Sequence, residues 1–203
     1  MVINMARPVS RSGAGSSSRR FKIVLNSPVI LTFAMLCAIV LFIGWITGGK
    51  TDELFFSVYR SSLANPLTYV RFFGHVLGHA DIFHLVNNLM LILVIGPLVE
   101  ERYGSKWIIL MMATTAVVTG LIHFLLFPGT ALLGASGIVF AFIMLSSITG
   151  FRDREIPLTF ILVAVLYLGQ QIYQGMQPDS VSQLTHIAGG VIGAVFGLKL
   201  NKR

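Results

Sequence analysis

LLGASGIVFAFIMLSSITG, residues 132–150, is the stretch from which the rest of the chain can be read. It carries no charged side chain over 19 residues, close to the roughly 20 apolar residues that cross a hydrocarbon core as a helix. Its apolar positions do not alternate with polar ones as those of a barrel strand would. Near its start, Gly134-Ala135-Ser136-Gly137 sets a hydroxyl between glycines. Strings of small residues in membrane helices commonly serve close helix packing, and that reading competes with a chemical one. Flanking glycines let a backbone turn sharply and let a neighbour approach, as a nucleophile on a loop-to-helix turn requires. A serine oxygen also needs a base within hydrogen-bond reach and donors facing the developing oxyanion.

Working outward, five further apolar runs cover about 28–47, 82–98, 107–127, 157–173 and 184–200. The 203 residues are 55% hydrophobic and only 11% charged, too apolar for an ordinary soluble domain. In lipid only helices and closed barrels satisfy the backbone, so the expected fold is an all-α membrane protein, a bundle of six transmembrane helices over residues 27–203. Residues 1–26 are rich in Arg, Ser and Gly and contain no acid, which predicts a basic, disordered cytoplasmic tail. A transit peptide has similar composition and is the second reading.

Basic residues orient the bundle. With the amino terminus inside, twelve Lys and Arg fall on inner segments and only Lys50, Arg60 and Arg71 on outer ones. The net charge of +7 then reads as topology and contact with anionic lipid, not as nucleic-acid binding. The expected setting is multi-pass in a bacterial inner membrane, both termini cytoplasmic. The single cysteine, Cys37, makes no internal disulfide.

The connection over 48–80 mixes aromatic and aliphatic residues with a few charges and is expected to lie partly in the interface. His75 and His79 invite a metal reading, but no acid joins them and no H-E-x-x-H is present, so hydrogen bonds to loop carbonyls are the expected role and no metal is expected. His84 and Asn88, four apart on one helical face, are polar groups in an apolar helix and hence functional candidates. An interhelical hydrogen bond, the role expected of Asn87, is the second reading of Asn88. Glu100-Glu101-Arg102-Tyr103-Gly104 reads as a charged inner turn, either solvated or a structural ion-pair node. His123 reads as an interfacial histidine with no evident partner. The polar, glycine-flanked end of the fifth run and the loop after it, 170–183, are expected to gate the site.

The last run is the most informative. Counted from His186, Gly189, Gly190, Gly193 and Gly197 lie at offsets of three, four, seven and eleven, on one face that can pack very close to a partner helix. A histidine one turn above such a stripe points at that partner. The second, fourth and sixth runs all travel inward, so His84, Ser136 and His186 share one depth near the outer ends. Agreement in depth and face favours a nucleophile over packing at Ser136.

These residues resemble the rhomboid intramembrane serine proteases. Gly134-Ala135-Ser136-Gly137 matches the G-x-S-G motif, His186-Ile187-Ala188-Gly189 with Gly193 the H-x-A-G-x-x-x-G motif, His84 and Asn88 the H-x-x-x-N pair preceded by His79, and Glu100 to Gly104 the E-x-R-x-G turn. The resemblance covers about residues 71–197. It implies a Ser136–His186 dyad with no carboxylate, all eight acids lying outside the runs, and an oxyanion hole from His84, Asn88 and the Ser136 N–H. Phe140, Gly134, Gly137, His79, Gly189 and Gly193 would support the site. It implies no cofactor or metal, and transmembrane protein substrates cut near the outer end of their spans. Two departures stand out: Val70-Arg71 where the family commonly has Trp-Arg, and Phe140 where many members place tyrosine. The rival reading is a catalytically silent relative that binds or escorts membrane proteins.

Overall fold

The computed structural model describes residues 25–148 and 181–200, with single positions 158, 161, 162, 165, 166 and 169 between them. The helices with described bounds are α1 (Pro28–Ile46), α2 (Lys50–Phe55), α3 (Pro66–Gly74), α4 (Ile82–Tyr103), α5 (Ser105–Leu126), α6 (Ser136–Ile148) and α7 (Val181–Leu200). The protein is an all-helical integral membrane protein. Among the described residues four helices, α1, α4, α5 and the Gln183–Leu200 part of α7, are long and apolar enough to span a bilayer, and α6 is a shorter apolar helix. Five of the six expected runs thus correspond to described helices. The fifth, 157–173, lies outside the described residues except at the single positions given above, as do the tail 1–24 and most of the 170–183 gate.

Lipid exposure explains which faces are apolar. α4 buries Leu85, Asn88, Ile92, Gly96, Val99 and Glu100, while Phe83, Val94 and Leu98 point outward. Helix α6 is the exception, burying residues all round its circumference, including Ile138, Phe142 and Leu145. A helix hydrophobic on every side belongs in the middle of a bundle, and α6 packs against α4, α5 and, most extensively, α7.

The α6–α7 contact shows why the glycine stripe is needed. A Cβ on Gly189 would collide with the Gly137 carbonyl oxygen, and one on Gly193 with that of Ala141. One helical stripe therefore lies directly on the backbone of the other.

Two expectations need correction, on the start of α6 and on Glu100, and the 48–80 connection gains detail. The fourth run begins at Leu132, but α6 begins only at Ser136, because Leu132 is extended and pairs with Val58 in an isolated antiparallel bridge. The 48–80 connection is a built element: α2 and α3 fold within it, and Asn65 caps α3 by accepting from the Leu67 N–H at 3.0 Å. Finally, Glu100 does not lie outside the spanning helices. It belongs to the last turns of α4, only 4% exposed, and its two carboxylate oxygens accept from the Val29 and Ile30 N–H groups, each at 3.1 Å. Those donors open α1 and have no partner within it. Glu100 is neither a solvated connection nor an ion-pair node; it caps a neighbouring helix, and Ser105 Oγ donates to it at 2.7 Å.

Candidate functional site

Ser136 is the first residue of α6. The chain reaches it through Gly134, whose φ of 127° is a conformation that side-chain-bearing residues rarely adopt. The absence of a side chain matters as much as the torsion. A Cβ at Gly134 would stand 2.7 Å from His84 Cε1 and 2.8 Å from Nε2, with Asn88 Nδ2 at 3.9 Å. Gly134 is thereby the point where the α5–α6 connection closes on α4. Its N–H donates to the His75 carbonyl at 2.8 Å, tying the connection to the end of α3.

From the other side, α7 presents His186. Its Nε2 lies 2.8 Å from Ser136 Oγ, and its ring rests on Phe140, one turn further along α6, with centroids 4.6 Å apart. The tyrosine hydroxyl that Phe140 lacks is not needed for this stacking. Asn88 is 6% exposed, and its Nδ2 is a buried donor without a partner. Buried polar groups are nearly always satisfied in native proteins, so an orphan donor facing Gly134, two residues before Ser136 and next to His84, stands out. Helix N-termini add their own unpaired N–H groups and positive dipole end at Ser136 and Gly137.

Behind this cluster the remaining histidines are held by carbonyls. His75 Nε2 donates to the Ala116 carbonyl at 3.0 Å, and His79 Nδ1 to that of Leu77 at 3.1 Å. His79 also abuts the His84 ring, edge to face at 5.1 Å. Burial pushes both His75 and His79 down to about 4, so each is neutral at physiological pH. Among the described residues no group of three or more His, Cys, Asp or Glu could hold a metal. His123, fully buried, has a partner after all, the Thr130 carbonyl at 3.1 Å, and stacks on Phe127.

The sequence of the chain carries the same signature as this geometry. The profile of the Rhomboid domain matches residues 66–203. The chain belongs to the rhomboid family. It is 33% identical to Rhomboid-related protein 1 of Caenorhabditis elegans over 138 residues, 63% of this chain and 38% of that one. It is 26% identical to Rhomboid-related protein 2 of the mouse over 191 residues, 83% of this chain and 62% of that one. It is 19% identical to rhomboid protease GlpG of Haemophilus influenzae over 172 residues, 83% of this chain and 88% of that one. The chain thus spans less than two thirds of the worm and mouse proteins.

Against the rhomboid pattern, Val70 in place of tryptophan leaves Arg71 fully anchored. Arg71 is 3% exposed, donates to the Leu54 carbonyl and to Ser61 Oγ at 3.1 Å each, and lies over the Tyr59 ring at 4.4 Å. Asp81, absent from the candidates above, caps this rhomboid's α4 just ahead of Ile82, its carboxylate accepting from the His84 N–H at 2.8 Å. The helix-start signal was there, an acid immediately before an apolar run. Thr115 and Thr119, which face Gly137 from α5, had no such signal, since threonine inside a membrane helix is ordinarily satisfied by its own backbone, as both are here.

Proposed function

We propose that this rhomboid is an intramembrane serine endopeptidase that hydrolyses peptide bonds near the outer end of transmembrane segments in other membrane proteins. The observation that supports this most directly is the 2.8 Å approach of His186 Nε2 to Ser136 Oγ. That distance is the hydrogen bond a general base needs to take the hydroxyl proton as oxygen attacks. In the proposed reaction Ser136 Oγ adds to the scissile carbonyl while its proton moves to His186 Nε2. The carbonyl oxygen, now charged, accepts from Asn88 Nδ2, His84 and the Ser136 N–H. The C–N bond then breaks, with His186 protonating the leaving amine. Water, deprotonated by the same histidine, releases the acyl group from Ser136.

No carboxylate orients the imidazole in this scheme. The Phe140 ring beneath it and the glycine contacts of α7 do so instead, in the place of a third triad member. The reading requires neither metal nor cofactor. Its proposed setting is a bacterial inner membrane with both termini cytoplasmic, which the asymmetry of basic residues supports. Treatment of the purified protein with a serine-directed electrophile, followed by peptide mapping, tests the proposal. A single adduct on Ser136 that is lost in His186→Ala is expected. Absence of any adduct, in a protein that still binds membrane-protein segments, would instead support the silent escort.

A further inference from the structure

A cleft of about 780 Å³ opens between the C-terminal end of α1 and the N-terminal end of α4. Ala38, Leu41, Phe42 and Leu85 make its apolar wall, and Asp52, His79 and Asp81 its polar mouth. A second hollow, about 300 Å³, shares Gly49, Asp52, His79 and Ala80 with it and runs toward Ala131 and Leu133. Ser136, His186 and Asn88 line neither. Among the described residues no Lys or Arg lines them either.

The hydrogen-bonding sense of the mouth can be worked out. The Leu77 carbonyl can only accept, so the His79 ring carries its proton on Nδ1 and leaves Nε2 as a bare acceptor. His79 is 1% exposed, and that Nε2 is buried without a partner. Asp52 Oδ1, a second acceptor, is also buried without one. It lies against α1 because Gly44 has no side chain there, a Cβ at Gly44 colliding with Asp52 Oδ2. Asp81 Oδ1 is already engaged with the His84 N–H. The two polar atoms that the mouth leaves without partners, His79 Nε2 and Asp52 Oδ1, are therefore both acceptors, and desolvated acceptors without donors are unfavourable. Positive charge and several N–H groups are what it would take. Trp45 lines the same cleft and is otherwise exposed, as suits an aromatic ring at headgroup level. Below it the wall is apolar.

We propose that this cleft is a lipid site selective for a headgroup bearing a primary ammonium, held between Asp52 and His79, with an acyl chain lying along Ala38, Phe42 and Leu85. A quaternary ammonium brings the same charge and the same chains but no N–H, so it satisfies neither acceptor. Occupancy also steadies His79, whose ring braces His84.

The test uses the full chain in nanodiscs of equal parts ethanolamine-headgroup and choline-headgroup lipid with identical acyl chains. Lipid retained by the protein after detergent extraction is counted by native mass spectrometry, and the thermal midpoint is measured alongside. Retained lipid should be enriched several-fold in the ethanolamine form, and the midpoint should be higher than in choline lipid alone. Asp52→Asn, which keeps the shape, and Ala38→Trp, which fills the cleft from an exposed position, should each return retention to the bulk ratio. Retention in proportion to the mixture, or enrichment surviving both variants, overturns the proposal. So does an equal midpoint rise with soluble ethanolamine, which would make this a free-amine site, or with calcium alone, which would make it a cation site.

Discussion

At the residue scale, Ser136 and His186 form one hydrogen-bonded unit, and removal of either partner should abolish proteolysis. Ser136→Ala and His186→Ala are expected to insert and express normally while cleaving a transmembrane reporter at background rate. Clear residual cleavage in either would mean that another base or nucleophile operates. Asn88 belongs at the same scale, because its amide is already desolvated and unpaired, as the proposed oxyanion donor should be. Asn88→Ala should lower kcat by roughly 10- to 1000-fold with little change in KM. A change confined to KM would assign Asn88 to substrate binding. Gly134 is as constrained as the polar groups. Its backbone occupies the space between His84 and the serine loop, which no side chain could share.

Among the elements, two contacts set the geometry. The first is α6 on α7, where Gly189 and Gly193 ride on the Gly137 and Ala141 backbones. Gly193→Val should push α7 outward and separate the His186 ring from Ser136, so activity and thermal midpoint should fall together. Full activity in Gly189→Val and Gly193→Val would show that the stripe does not hold the pair in register. The second contact is α4 on α1 at the opposite end, where the Glu100 carboxylate receives two N–H groups from the start of α1. Loss of a helix cap costs about 1–2 kcal/mol. Glu100→Ala should therefore lower the unfolding midpoint in detergent while leaving the proposed proteolysis by the folded protein nearly unchanged, and Glu100→Gln, which keeps an acceptor, should recover part of the loss.

For the whole molecule, the helix ends carrying Ser136, His84 and His186 come together, so under the proposed function a substrate would present its peptide bond there. A continuous helix hides its carbonyls in hydrogen bonds, and the cut should depend on local unwinding by glycine or proline in the substrate segment. A reporter with a Gly-Pro break at its outer end should be cut there, and an unbroken leucine helix should resist. Equal cleavage of both would remove unwinding from the scheme. Acid should also loosen the whole fold. His75 and His79 are neutral in the native protein with values pushed to about 4, against 6.5 when unfolded. A group whose native value is depressed holds its contribution above the unfolded value and loses it as pH falls toward the native one. The thermal midpoint should therefore decline from about pH 6.5 to 4, and His75→Gln should flatten that decline; an unchanged profile would show that these rings do not carry it.

Hydropathy alone determined that this chain is a helical membrane protein, because apolar run length is set by bilayer thickness whatever the packing. The spacing of His186, Gly189 and Gly193 likewise showed which face of the last helix packs close, since positions three, four and seven apart must share a side. The sequence also singled out Ser136, His84 and Asn88, polar groups too costly in lipid to be there without partners or purpose. Tertiary structure alone decided who meets whom. That Glu100 caps a helix some 70 positions away, that His75 donates to the Ala116 carbonyl of α5, and that Gly134 makes room for His84 are consequences of helices brought together in three dimensions. No local pattern encodes such contacts, because a carboxylate or carbonyl accepts from any donor that the fold happens to deliver.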